Sequence, residues 1–142
     1  MSLFSTKGKL AEAYPFTRTD AEWQTSLTSE QYRVMRAHGT ERACTSPLND
    51  EHRHGTYSCA GCGKLLFTTD AKFESGTGWP SFFQPVTPEA IGTTEDRGWG
   101  MVRTEVHCNN CGSHLGHVFP DGPAPTGQRY CMNGVSLDFH AA

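Results

Sequence analysis

The chain has 142 residues, with 12 Lys and Arg against 15 Asp and Glu, and its formal net charge of -3 lacks the positive field that phosphate-backbone binding requires. Its 8 Leu, 1 Ile, 6 Val and 8 Phe leave a thin aliphatic core, yet low net charge and 11% aromatic residues exclude the composition of a disordered chain. No apolar run could cross a bilayer, and Lys7, Lys9 and Glu12 interrupt the start where an export signal needs a continuous apolar stretch. The expectation is one soluble, cytoplasmic domain over 1–142 with neither nucleic acid nor membrane as partner.

Thr19-Asp20-Ala21-Glu22 and Thr28-Ser29-Glu30-Gln31 each have the spacing of a capping box, in which a threonine side chain and a Glu or Gln three residues on satisfy each other's backbone N–H. Trp23 and Leu27 follow the first, Tyr32 and Met35 the second, so two short helices with one apolar face each are expected in the segment 1–39, stopped by Gly39. Residues 40–55 show no periodicity and read as a long ordered loop carrying Cys44. Gly55-Thr56-Tyr57-Ser58-Cys59 and Lys64-Leu65-Leu66-Phe67-Thr68 flank a cysteine pair as the arms of a hairpin would. Thr87 as cap and Pro88 at the first helical position predict a brief helix. Residues 99–108 give the clearest strand, with Val102, Thr104 and Val106 on one side and Met101, Arg103, Glu105 and His107 on the other. Residues 114–119 and 135–139 predict two more, and 122–127 reads as a tight loop. The body 56–142 is therefore expected to be mainly β.

Cys59-Ala60-Gly61-Cys62 and Cys108-Asn109-Asn110-Cys111 are two C-x-x-C pairs, each followed at once by Gly63 or Gly112. Two thiolates at this spacing reach one tetrahedral ion from a tight turn, and the glycine allows the bend that points amides at sulfur. One structural zinc ion joining two distant hairpins is the reading adopted; iron suits the same four thiolates, and two disulfides or two redox pairs are the alternatives. Cys44 and Cys131 are left over. A spare thiol is either inert or a nucleophile, and Cys131 has His114, His117 and Arg129 nearby in sequence, the company that lowers a thiol's pKa and protonates a leaving oxygen.

Six stretches then converge: Gly39-Thr40-Glu41-Arg42, Ser75-Gly76-Thr77-Gly78-Trp79-Pro80-Ser81-Phe82, the two cysteine pairs, His114-Leu115-Gly116-His117-Val118-Phe119-Pro120-Asp121-Gly122-Pro123, and Gly127-Gln128-Arg129-Tyr130-Cys131-Met132-Asn133. Together they resemble the B-type methionine sulfoxide reductases, which act on methionine-R-sulfoxide. The resemblance implies two antiparallel sheets of the β-tent type with short N-terminal helices and a zinc clip remote from the active site. It also implies reduction of the sulfoxide in proteins and peptides, with thioredoxin as the reductant. By motif, Cys131 matches the attacking cysteine, His114 and His117 the active-site histidines, and Asn133 the asparagine that orders them. Trp79 matches the tryptophan that receives the substrate methyl, and Phe119 and Arg129 are expected to line the same pocket.

The departure is at Thr77, where many members of the family carry their resolving cysteine. Some relatives resolve from the N-terminal loop instead, and Cys44 lies there, so the expected partner of oxidised Cys131 is Cys44. A zinc-ribbon-like binding module without chemistry would explain the cysteine pairs but not the His114, His117 and Cys131 set. A general thiol redox protein would need one pair to be metal-free.

Overall fold

The computed structural model describes residues 14–142; the expected start of the helical segment and the residues that argue against an export signal lie mostly outside the described residues. Both capping boxes form. Helix α1 (Asp20–Ser26) is capped by Thr19, whose Oγ1 accepts from the Glu22 N–H while Glu22 accepts from the Thr19 N–H; Thr28 and Gln31 do the same for α2 (Ser29–Met35). Trp23, Leu27, Val34 and Met35 are buried. The stop differs from expectation: α2 ends at Met35, and the left-handed residue is His38 (φ 58) rather than Gly39, whose N–H donates to the Arg33 carbonyl.

Among the described residues, nine strands make two antiparallel sheets. The smaller has the order β2-β1-β9, with β1 Gly55–Cys59, β2 Leu65–Thr68 and β9 Leu137–Ala141. The larger has the order β3-β4-β8-β7-β6-β5, with β3 Lys72–Phe73, β4 Ser81–Phe82, β5 Ile91–Asp96, β6 Arg103–Cys108, β7 His114–Phe119 and β8 Arg129–Met132. The core sits between them. Phe82 of the larger sheet stacks on Phe67 at 4.3 Å between centroids and meets Tyr57 edge-on at 5.0 Å, both from the smaller. The aromatic residues thus supply apolar area that a chain poor in Leu, Ile and Val cannot, at roughly 150–250 Å² each.

Three expected elements are shorter or of another kind. The strand over 99–108 begins only at Arg103. Before it, Asp96 accepts from the Gly98 N–H, and Gly98–Gly100 makes a 3-10 turn with Gly100 at φ 71, so β5 and β6 become a hairpin. The strand over 135–139 is displaced to β9 because Gly134–Ser136 is a 3-10 turn: the buried Glu41 carboxylate accepts from both the Gly134 and Val135 N–H, removing them from any ladder. The helix at Thr87 is a single 3-10 turn, Pro88–Ala90, without a side-chain cap.

Candidate active site

Cys131 lies on β8, and the register of the larger sheet sets its neighbours. Ser81 on β4, His117 on β7 and Glu105 on β6 fall in one row across the strands with it. Residues directly opposite in an antiparallel ladder project from the same face, so this row concentrates a thiol, an imidazole and a carboxylate. Phe119 and Arg129 form the next pair on that face, with the guanidinium 4.5 Å from the ring centroid and held by Asp121 at 2.9 and 3.2 Å.

His114 joins this face through a bulge. Val106 pairs with Gly116, but His107 pairs with His114, so β7 carries one residue more than β6 at that step. Two residues three apart on a regular strand point to opposite faces; the inserted Leu115 brings the rings of His114 and His117 within 5.4 Å. His114 Nδ1 is 2.8 Å from Glu105 Oε2, while Glu105 Oε1 meets His107 Nδ1 at 3.0 Å. Burial would raise the Glu105 carboxyl, but hydrogen bonds from His107 and His114 prevail and hold it at about 2. Burial lowers His117 despite Asp96, whose Oδ2 is 3.0 Å from its Nε2; Asp96 itself is held at about 2, first by that same bond. His117 thus has a carboxylate to orient its ring, and the Asp96 bond partly offsets the burial that disfavours its charged form.

The thiol of Cys131 is half-buried, and burial pushes it up. Opposing this are Thr77, whose Oγ1 lies 3.8 Å from Sγ, the Arg129 charge and Ser81. Ser75 Oγ connects Thr77 and Ser81 at 2.8 and 2.7 Å, so a small hydroxyl network surrounds the sulfur. Trp79 precedes β4, and its indole N–H donates to the Glu41 carbonyl at 3.0 Å. Asn133 lies behind the site: its Oδ1 accepts from the Glu41 N–H and its amide donates to the Leu115 carbonyl, at the bulge. Cys44 is exposed, has φ 66, and donates its N–H to the Gly78 carbonyl. A methyl at Gly78 would lie 3.0 Å from Cys44 Sγ, so the sulfur packs against Gly78 while its neighbour Thr77 touches Cys131.

The other four cysteines stand apart. Their sulfurs all lie within 4.8 Å of one another, with Cys59 and Cys111 at 3.7 Å and Cys62 and Cys108 at 3.6 Å. A tetrahedral ion with metal–sulfur bonds of about 2.3 Å needs sulfur–sulfur edges of about 3.8 Å, so the four fit one ion. The knuckles are alike: Gly63 and Gly112 have φ 84 and 78 and return their N–H to the Cys59 and Cys108 carbonyls, and the Gly61 and Asn110 amides point at Cys59 and Cys108 sulfur. One knuckle ends the β1–β2 hairpin and the other joins β6 to β7, so a bound ion links the two sheets. Arg36 ties α2 to the second knuckle through the Cys111 carbonyl and Ser113 Oγ, with its guanidinium over Trp23.

The SelR domain matches residues 27–141. The chain is also 56% identical to the peptide methionine sulfoxide reductase MsrB of Thiobacillus denitrificans over 87% of its length and 93% of that protein's. It is 58% identical to the MsrB of Leifsonia xyli over 89% of its length and 91% of that protein's, and 53% identical to that of Methanosarcina barkeri over 86% of each. The chain belongs to the MsrB family. The match begins at Leu27, the C-cap of α1, and so takes in α2, both knuckles, the bulged β7 and the row through Cys131 on the MsrB scaffold.

Sequence reasoning overlooked three residues of this MsrB site. Glu41, although inside a quoted motif, had been assigned no part, yet it braces Trp79, Asn133 and the turn before β9 at once. Asp96 and Glu105 partner the two histidines from strands that are distant in sequence. The one available signal was that a charged residue fell in an otherwise alternating strand, at Glu105.

Proposed function

We propose that the chain reduces methionine-R-sulfoxide in proteins and peptides, with Cys131 as the attacking thiol; the row of Cys131, His117 and Glu105 with His114 turned in beside it carries this reading. A sulfoxide sulfur becomes electrophilic as its oxygen is protonated or hydrogen-bonded, so the thiolate needs an acid close by. His117 and His114 are the candidates, oriented by Asp96 and Glu105. Attack transfers the oxygen to Cys131, methionine leaves, and Cys131 is oxidised to a sulfenic acid. Trp79 and Phe119 offer aromatic faces for the sulfur-bound methyl, Arg129 confines the pocket beside Phe119, and Asn133 holds the bulge in place.

Cys44 is the proposed resolving thiol. It attacks the Cys131 sulfur, water leaves, and a disulfide forms that a thioredoxin dithiol reduces, a recycling that places the protein in the cytoplasm. Supporting this, Cys44 sits against Gly78, one residue from the Thr77 that touches Cys131, in a left-handed conformation that costs roughly 1–2 kcal/mol and favours rearrangement. The four-cysteine site is assigned one structural zinc ion. All four positions being thiolate leaves no open coordination site, so the ion clamps the sheets and takes no part in the reaction.

The test follows NADPH oxidation with thioredoxin, thioredoxin reductase and each epimer of a blocked methionine sulfoxide. Turnover with the R epimer alone is expected, abolished in Cys131→Ser. Mass mapping after one turnover without reductant is expected to give a Cys44–Cys131 disulfide. A persistent Cys131 sulfenic acid beside reduced Cys44 would assign resolution to an external thiol.

A further inference from the structure

Beside the reactive row, the face of β6 and β7 opens into a groove of about 700 Å³. At its wall a second group of donors converges: one each from His38, Glu105 and His114, all within 4.8 Å of one another. Glu105 and His114 are buried, while His38 is exposed and its ring lies 5.3 Å from that of His114. We propose that His38, Glu105 and His114 form a second divalent-cation site, open on the groove side and suited to a borderline ion such as Zn2+, Fe2+ or Co2+.

Two imidazoles and one carboxylate select such ions over Mg2+ or Ca2+, which prefer oxygen alone. The carboxylate has no other cation: among the described residues, the hydrogen bonds and ion pairs of Glu105 go only to His107 and His114. The arginines along the groove are engaged elsewhere, Arg18 over Phe16 and Trp23, Arg36 on the Cys111 carbonyl and over Trp23, Arg103 on Asp96. His107, through Glu105 Oε1, orients the carboxylate from behind, as the outer partners of metal ligands commonly do. The three ligands also come from three elements, the turn after α2, β6 and β7, so an ion there would fix that turn onto the sheet. The consequence for catalysis rests on the reading of His114 as an active-site acid: an ion on His114 takes the place of its proton and silences the reductase.

Binding is tested without reference to activity. The full chain carrying its four-cysteine ion, with Cys44→Ser and Cys131→Ser so that neither free thiol can bind metal, is titrated with Zn2+ by calorimetry and the bound metal counted after dialysis. One further equivalent is expected. His38→Ala, at an exposed position, is expected to weaken that equivalent by about tenfold or more while keeping the first, and Glu105→Gln to do the same. Absence of the further equivalent at about 100 µM free Zn2+, or its retention at full affinity in His38→Ala, overturns the proposal.

Discussion

At Cys131 burial and hydrogen bonding pull the thiol in opposite directions, and burial is the larger. The resting side chain is therefore protonated at neutral pH and becomes a better nucleophile as pH rises. In a Cys44→Ser background, its rate of alkylation by iodoacetamide is expected to climb with pH to a midpoint above the ordinary thiol range; Thr77→Val and Arg129→Ala are each expected to move that midpoint higher, since both remove groups that favour the thiolate. A midpoint below the ordinary thiol range would contradict this. Glu41 is the other decisive residue. Replacing it by Ala strips the acceptors from the buried Gly134 amide and the part-buried Val135 amide, and is expected to cost about 1–3 kcal/mol in urea unfolding, whereas Gln, which keeps one acceptor, costs less. The cluster of four cysteines was legible from residue type and spacing because each C-x-x-C pair is a local motif, whereas the row that sets Cys131 beside His117 exists only in the strand register. Glu41, Asp96 and Glu105 were not legible, because Glu41 reaches Asn133, Gly134 and Val135, 92 to 94 positions away, and the active-site histidines that Asp96 and Glu105 partner stand 21 and 9 positions on, brought together only by the fold.

Where the signal was local, elements formed as read. Both capping boxes depend on four consecutive residues, and Thr28→Ala is expected to lower stability by about 1 kcal/mol, with a smaller far-UV helical signal and no change in metal content. The hairpin β1–β2 and strand β7 likewise follow from patterns that need no distant partner. Elements departed from the reading where a side chain or backbone conformation outside the motif intervened. Glu41 turns 134–136 away from the sheet, Asp96 captures the Gly98 amide and delays β6, and His38 takes the left-handed position expected of Gly39. The bulge at Leu115 is the departure that matters most for chemistry. Period-two alternation would have placed His114 and His117 on opposite faces, and the extra residue, with its carbonyl held by the Asn133 amide, unites them. Deleting Leu115 is expected to separate the histidines and abolish sulfoxide reduction while the four-cysteine ion is retained by mass spectrometry.

Across the whole molecule, the two sheets meet through Phe67, Tyr57 and Phe82 and through the knuckle ends, so an ion held by the four cysteines would carry part of the cohesion that a thin aliphatic core cannot. The β6–β7 hairpin bears on this same junction, because Glu105 crosslinks it through His107 and His114 one turn away from the second knuckle. That crosslink is pH-dependent. A carboxyl held at about 2 in the folded chain, against 4.5 when exposed, is ionised over a wider range folded than unfolded, so its contribution is full above about pH 4.5 and is lost as pH falls toward 2. A difference of that size amounts to roughly 3 kcal/mol at neutral pH. Low pH would also protonate cysteine thiolates that hold an ion, so the natural chain alone would not separate the two effects. Comparing it with Glu105→Gln does, because both keep the four cysteines. Chemical denaturation at a series of pH values is expected to show the natural chain more stable at pH 7, with the gap narrowing below pH 4.5 and closing near 2. A gap that stayed constant across that range would mean that Glu105 stabilises the sheet by shape rather than by charge.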